Sequence, residues 1–220
     1  MPKPPLDTET IALIRDRLHT AVLGDVLDIM GYRTQFLPAD IRPLLPEVRL
    51  VGRAMTVHET DTTDAGTNFG KMFEALDQVG PGEIYFAAGG SGTYAMWGEL
   101  MSRTARARGG VGAVLGGPMR DTPAIRALGF PVFSTGSYAQ DQRGRGHVTD
   151  YRCRVTLGQV TIEDGDIVVG DEDGVLIIPD AALGDCLKQA VEKAGIEDQI
   201  GEHLEKGADS KAMFEQFGVM

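Results

Sequence analysis

Apolar positions near the start of the chain follow a helical spacing. Within residues 8–18 they recur every three to four residues, which predicts an amphipathic helix. Residues 20–31 predict a second helix, with Thr20 as its N-cap and Gly31 as its stop. The proline-rich residues 1–7 precede both helices and predict an arm that is either disordered or clamped.

Between residues 49 and 136 the pattern alternates between short apolar runs and helical spacing. This alternation predicts strands joined by helices and parallel pairing of those strands. The predicted strands are 49–59, 84–89 and 111–115, and the predicted helices are 69–79, 94–108 and one that Pro123 opens.

The pattern changes again after residue 136. Residues 151–178 are rich in β-branched residues and punctuated by glycine, which predicts antiparallel strands. From Pro179 a helical pattern runs to Lys206, and residues 210–217 predict a short final helix. The whole chain, 1–220, therefore predicts one layered α/β domain with a mixed sheet.

Composition narrows the possible partners. The chain has 220 residues, 42% hydrophobic and 24% charged, and a formal net charge of -11, which argues against nucleic acid as a partner. No membrane-length apolar run is present, and the two cysteines lie far apart without metal spacing. We therefore expect a cytoplasmic protein whose partner is a small molecule or a protein, with no membrane contact.

Two glycine-rich turns are the first candidates for a site. Gly89–Gly92 and Gly116–Gly117 each follow a predicted strand and precede a helix, but neither matches a dinucleotide or P-loop fingerprint. If their strands are parallel neighbours, the two turns line one cleft.

The charged residues near these turns have simpler interpretations. On pattern alone Asp121 is an N-cap for the helix that contains Pro123, and Arg120 is a surface arginine paired with an acid. Glu99, near the start of a predicted helix, has a negative charge that interacts favourably with the helix dipole. The acidic turn 170–175 is best interpreted as a solvated hairpin rather than a metal loop. The four histidines show no metal spacing, although the basic loop that carries His147 can form part of a site mouth.

Several separated motifs in the right order carry a family resemblance. They are GRAMTV (52–57), WGELMSRTARARGGVGAVLGGPMRD (97–121), GFPVFSTG (129–136) and GDIVVGDEDGVLIIP (165–179). With these motifs the chain resembles the RraA-like family over about residues 20–179. That family includes class II 4-hydroxy-4-methyl-2-oxoglutarate and 4-carboxy-4-hydroxy-2-oxoadipate aldolases and the regulator of ribonuclease activity A. The resemblance implies a swivelling β/β/α-type domain with flanking N- and C-terminal helices.

The resemblance also implies roles for individual residues. Asp121 holds Mg²⁺ or Mn²⁺ largely through water, Arg120 binds the carboxylate or enolate oxygen of a 2-oxo acid, and Glu99 occupies an acidic position beside the metal's water. The helix start at Gly98, Leu100 and Met101 gives backbone N–H groups to the substrate carboxylate. The weak candidate for an acid supplied by a neighbouring subunit is Glu197.

These roles describe a metal-dependent lyase that releases pyruvate from a 4-hydroxy-2-oxo acid and decarboxylates oxaloacetate as a side activity. Relatives form trimers or hexamers, so the resemblance implies a homo-oligomer with sites between subunits. One position departs from the family pattern: Ala124 stands where many aldolases carry an acid. This departure favours the alternative of a non-catalytic regulatory or binding protein.

Overall fold

The computed structural model describes residues 2–64, 66 and 69–218. Its helices are α1 (Thr8–Arg17), α2 (Thr20–Ile29), α3 (Gly70–Gln78), α4 (Glu99–Ala107), α5 (Thr122–Leu128), α6 (Leu183–Glu205) and α7 (Ser210–Phe217). Its strands are β1 (Arg42–Pro43), β2 (Leu50–Asp61), β3 (Glu83–Gly89), β4 (Gly112–Leu115), β5 (Val132–Ser134), β6 (Gly146–Tyr151), β7 (Val155–Leu157), β8 (Val160–Ile162), β9 (Ile167–Asp171) and β10 (Gly174–Ile178).

Within these ranges, eight strands form one mixed sheet. Its order is β1-β5-β4-β3-β2-β9-β10, and β6 pairs with the carboxyl end of β2. Strands β2 to β5 run parallel, whereas β1, β6, β9 and β10 pair antiparallel with their neighbours. The predictions of an α/β class, of parallel pairing in the first half and of an antiparallel second half are confirmed.

Both faces of the sheet are covered, which explains why its central strands are continuous apolar runs. Successive side chains point to opposite faces. Tyr85 packs in a cluster with α3, α4 and α5, whereas Phe86 packs in a second cluster with the separate hairpin β7–β8. A third cluster joins α1, α2 and α6 to β9 and β10. Nowhere in the described ranges is a helix both long and apolar enough to cross a bilayer.

The N-terminal arm is clamped onto the sheet. The Lys3 Nζ lies 3.0 Å from a carboxylate oxygen of Asp180, and the Arg53 Nε donates to the Pro4 carbonyl at 2.6 Å. Of the two expectations for residues 1–7, the clamped arm is confirmed for residues 2–7, and Met1 lies outside the described residues.

The start of α2 corrects two expectations. The N-cap is His19, and Thr20 is the first helical residue. The Thr20 N–H and Oγ1 donate to the Asp171 carboxylate at 2.9 and 2.8 Å, so a residue distant in sequence does the capping. Asp171 is consequently buried, and a solvated hairpin describes only the exposed Glu172 and Asp173. Gly31, with φ of 92°, ends the helix as predicted.

Helix α4 begins five residues later than the predicted start at residue 94, at Glu99. The residues before it are held in a non-helical path because the Ala95 N–H donates to the Gln140 carbonyl and the Met96 N–H donates to the Pro118 carbonyl, both at 2.8 Å. This later start places Gly98 directly at the helix N-terminus.

Replacing Asp171 with alanine tests the contact that starts α2. The Asp171→Ala variant loses the acceptor for Thr20 and for the Asp173 N–H, and the Thr20 donors stay buried. We expect the free energy of unfolding in urea to fall by about 2–3 kcal/mol. The neighbouring exposed variant Asp173→Ala should change it by less than about 0.5 kcal/mol. Equal losses in the two variants would contradict this role.

Candidate active site

The site forms where the segments that follow β3 and β4 run side by side. Trp97 and Met119 pair as a parallel bridge, and the Arg120 N–H donates to the Trp97 carbonyl at 2.9 Å. Because β3 and β4 are parallel neighbours, both segments leave the same edge of the sheet. Gly98 and Asp121 therefore lie against each other although they are far apart in sequence.

Asp121 has a strained backbone and an unusual acceptor role. It occupies the N-cap position of α5 in the left-handed region, with φ 60° and ψ 29°, and its side chain makes no capping hydrogen bond. Instead the Asp121 Oδ2 accepts the backbone N–H of Glu99, the first residue of α4, at 3.2 Å. The interpretation of Asp121 as an ordinary cap is therefore wrong. Strain of this kind in a non-glycine residue is typical of functional sites.

Gly98 makes this approach possible. A Cβ at position 98 would lie 2.7 Å from the Asp121 Oδ2, closer than real Cβ contacts occur. The absent side chain lets the carboxylate reach the N-terminus of α4, where helix N–H groups and the helix dipole favour a negative charge.

A cavity of about 450 Å³ lies beside this contact. The predicted residues Gly98, Leu100, Met101, Arg120 and Asp121 all line it. The structure thus brings together the candidate metal ligand, the candidate arginine and the helix start.

Glu99 is placed differently from these residues. Its backbone N–H binds Asp121, but its carboxylate accepts from the Arg103 Nε at 2.8 Å, one turn along α4. The Glu99 side chain does not line the cavity. Its backbone contact is shown, and its catalytic role stays a prediction.

Arg120 lies between two carboxylates. Its Nη1 is 3.4 Å from the Asp141 Oδ2, and its Nε is 4.0 Å from the Asp121 Oδ2. The backbone N–H of Arg143, and then Arg120, lower the pKa of Asp141. Arg120 is paired with acids, as the simpler interpretation expected, but the pairing occurs at the cavity, where the guanidinium remains partly exposed.

Comparison with known proteins identifies the family. A family model described as RraA-like, Aldolase/RraA, matches residues 20–177. The chain belongs to the RraA-like family. A Halalkalibacterium halodurans protein named "Putative 4-hydroxy-4-methyl-2-oxoglutarate aldolase" is 31% identical over 80% of each chain.

Two further relatives broaden the comparison. Protein DlpA of Legionella pneumophila is 29% identical over 86% of this RraA-like chain, which spans only 31% of DlpA. The solved structure of Streptomyces coelicolor RraAS2, described as an unusual member of the RNase ES inhibitor RraA protein family, is 25% identical. It superposes with a TM-score of 0.79 over 90% of this chain and 98% of its own. The family thus contains proteins named as aldolases and proteins named as inhibitors.

Part of the cavity of this RraA-like chain was not predicted from its sequence. Asp141 and Gln142 line it, as do side chains of α3. The basic character of the loop at 142–147 was the available signal, but Gln142 is the one residue of that loop that lines the cavity. His147 itself lies on β6 opposite Thr60 and does not line the cavity.

The donor set fits a hard, water-rich metal ion. No group of three or more His, Cys, Asp or Glu residues in the described ranges is arranged to hold a metal. Asp121 instead offers one carboxylate, pinned at one oxygen by the Glu99 N–H and 46% exposed as a side chain. Mg²⁺ commonly binds through one or two carboxylates and keeps several waters. The predicted Glu197 lies elsewhere, on α6, where its carboxylate pairs with Lys193 at 2.7 Å.

A buried acid supports the wall of the cavity. Glu59, on β2, is 1% exposed and accepts a hydrogen bond from the Gln142 amide at 2.6 Å. Its other carboxylate oxygen and the hydroxyls of Tyr85 and Tyr94 are buried without a hydrogen-bond partner in the structure. Burial raises the pKa of Glu59 to about 8, although the hydrogen bond from Gln142 opposes this shift. Glu59 is therefore mostly protonated at neutral pH.

The raised pKa of Glu59 predicts a pH-dependent contribution to stability. The folded protein holds a proton that the unfolded chain, with a pKa near 4.5, has released, so stability falls as pH rises from about 5 to about 8. Glu59→Gln lacks this proton and keeps an acceptor for Gln142. We expect the variant's free energy of unfolding, relative to wild type, to rise by up to about 1.4 kcal/mol per pH unit between pH 6 and 8. A difference in urea unfolding that stays constant with pH would contradict the assignment.

Proposed function

We propose that this RraA-like chain is a divalent-metal-dependent carbon–carbon lyase acting on 2-oxo acids. It cleaves a 4-hydroxy-2-oxo acid to pyruvate and decarboxylates oxaloacetate as a side activity. The observation that carries the proposal is Asp121, whose carboxylate is held by the N-terminus of α4 beside Arg120 at a cavity. The relatives named as aldolases support the same reaction class.

Arg120 and the start of α4 bind the acid end of the substrate in this proposal. The hydrogen bond from the Ser102 N–H to the Gly98 carbonyl closes the first turn of α4. The preceding N–H groups, those of Leu100 and Met101, have no acceptor within the helix and can donate to a carboxylate. The guanidinium of Arg120 adds charge-assisted donors to the same carboxylate or to the enolate oxygen.

In the proposed cleavage, negative charge develops on the fragment that becomes pyruvate. A base removes the 4-hydroxyl proton, the C3–C4 bond breaks, and its electron pair becomes the enolate of pyruvate, which takes up a proton at C3. Glu99 is the proposed steering acid for the base. Asp121 would hold Mg²⁺ or Mn²⁺, and the chemistry that either ion supplies is polarisation of the keto oxygen. Oxaloacetate decarboxylation gives the same enolate without the base.

The proposal includes a homo-oligomer, a trimer or a hexamer, in which Glu197 of α6 completes a neighbour's site. In this chain its carboxylate binds Lys193 and lies outside the cavity. A Glu197→Gln variant that keeps the oligomer but loses activity supports this role.

A second function, regulation by binding, has one specific observation in its favour. Ala124, in the first turn of α5, supplies no carboxylate where many aldolases of the family carry an acid. RraAS2 is described as belonging to an inhibitor family. A measurement of pyruvate release separates the two functions.

Pyruvate release tests the lyase proposal. We expect oxaloacetate and 4-hydroxy-4-methyl-2-oxoglutarate to yield pyruvate with Mg²⁺ or Mn²⁺ and not with EDTA. Asp121→Ala and Arg120→Ala should each lower the rate by about 100-fold or more, because each removes stabilisation of the developing charge. A folded oligomer that releases no pyruvate above the rate of the free metal would instead favour the regulatory function.

A glycine pair tests the contact between Gly98 and Asp121. Gly98→Ala pushes a Cβ into the Asp121 Oδ2, and a displacement of this size should lower kcat by about 10- to 100-fold. Gly184→Ala, in the first turn of α6, meets nothing within 4 Å and should leave kcat unchanged. Unchanged kcat in both variants would show that catalysis does not depend on the contact between Gly98 and Asp121.

A further inference from the structure

The cavity beside Asp121 has a charged end and a remainder that is apolar apart from Asp77, Thr104 and Gln142. Arg120, Asp121 and Asp141 form the charged end. Helix α3, the segment before α4, and α4 itself supply most of the remaining lining, which includes Met72, Phe73, Leu76, Trp97, Leu100 and Met101. A substrate whose carboxylate binds at Arg120 therefore places its other end among apolar side chains.

The apolar part is a surface formed by two helices. On α3, Met72 and Leu76 are one turn apart and buried, so they present one face. Phe73 and Leu100 line the same cavity but remain 56% and 75% exposed. Large exposed apolar side chains mark a contact surface for a ligand or a partner, and we assign these two to the ligand because they line the cavity.

The charges of the lining oppose a second substrate carboxylate. Within the described lining Arg120 is the one cation, and it already faces Asp121 and Asp141. The nearby guanidinium of Arg143 lies 5.5 Å from the ring centroid of Phe69 and does not line the cavity.

Asp77 is the other acid in the lining, and it too offers nothing that attracts a second carboxylate. It is held by Arg108 at 2.5 Å. A second substrate carboxylate would lie against apolar groups and find no cation in the lining that this chain supplies.

We propose that the site takes 2-oxo acids with a single carboxylate and an apolar tail, in place of the doubly acidic substrate in the relatives' names. This inference rests on the proposed function, because it places the carboxylate at Arg120. The corresponding lyase substrate is a 4-hydroxy-2-oxo acid with an apolar group on C4. Its C3–C4 cleavage gives pyruvate and an apolar aldehyde or ketone, with the 4-hydroxyl proton passing to the base and a proton returning to C3.

The single tryptophan of the chain gives a readout that needs no turnover. Trp97 is the only tryptophan in the sequence, it lines the cavity, and its Nε1 is fixed by a 2.7 Å hydrogen bond to the Ser102 Oγ. Its fluorescence should therefore change when a 2-oxo acid enters. Two probes of similar size differ in the tail: 4-methyl-2-oxopentanoate is apolar there, and 2-oxoglutarate carries a second carboxylate.

The test is a titration of each probe, and of pyruvate, in the presence of Mg²⁺. We expect 4-methyl-2-oxopentanoate to bind at least about tenfold more tightly than 2-oxoglutarate and pyruvate, since burial of a few methyl or methylene groups gives a factor of this size. Equal affinity of the probes, or tighter binding of 2-oxoglutarate, would overturn only the proposed preference for an apolar substrate tail. If no probe binds, the carboxylate position at Arg120 fails as well, and the proposed function fails with it.

A matched pair of variants locates the preference. Phe73→Arg places a cation at the cavity mouth without touching the buried core, and it should shift the preference by about tenfold or more toward 2-oxoglutarate. Phe214→Arg makes the same change on α7, at a phenylalanine of similar exposure, 53%, that does not line the cavity, and should leave the preference as in wild type. An identical shift in both variants, or none in Phe73→Arg, would overturn the proposal. The expected binding preference without pyruvate release from any 4-hydroxy-2-oxo acid would overturn only the lyase function.

Discussion

The site depends on two backbone segments running side by side after parallel strands. Hydrogen bonds from the Met96 N–H to Pro118 and from the Arg120 N–H to Trp97 hold the segment after β3 against the segment after β4. This pairing sets where α4 begins, because residues held by a neighbouring segment cannot enter the helix. It also aligns Gly98 with Asp121, so the N-terminus of one helix meets the carboxylate that precedes another. The cavity, the arginine and the strained backbone are all located by this alignment.

The strain at Asp121 is consistent with its chemistry. An aspartate at a helix start normally turns its carboxylate toward its own helix, where it stabilises the first turn. The left-handed backbone of Asp121 turns the carboxylate away from α5 toward α4, and α5 lacks the side-chain cap. A carboxylate held at one oxygen and exposed at the cavity suits a metal ion that retains most of its water. Helix α5 therefore lacks a stabilising side-chain cap at the residue that the proposed reaction uses as a metal ligand.

Much of the fold follows from the sequence because periodicity and glycine turns are local signals. Strands β2, β3 and β4, their parallel pairing, and the terminal helices were predictable in this way, whereas the short strands β1 and β5 were not. The start of α4 was not, because the apolar residues from Tyr94 to Trp97 continue smoothly into a helical pattern, and only their contacts with Pro118 and Gln140 exclude them from the helix. The burial of Asp171 depends likewise on Thr20, which is remote in sequence.

The candidate site was predictable only in part, and mainly through the family motifs. The motifs assigned Gly98, Arg120 and Asp121 to one site, whereas the residue pattern alone predicted that Asp121 caps a helix. The apolar wall from α3 could not be foreseen, because periodicity predicts that α3 is a helix and not that it faces α4 across a cavity. The roles of Glu99 and Glu197 stay predictions.

Binding of Mn²⁺, followed by the relaxation of water protons, shows whether Asp121 is the metal ligand of the site. Asp121 and Asp141 both line the cavity, so Asp121→Asn and Asp141→Asn form a matched pair. If Asp121 is the ligand, wild type and Asp141→Asn bind Mn²⁺ with enhanced relaxation, from water kept on the ion, and Asp121→Asn does not. Wild-type affinity in Asp121→Asn, or no Mn²⁺ binding by wild type, would contradict this assignment.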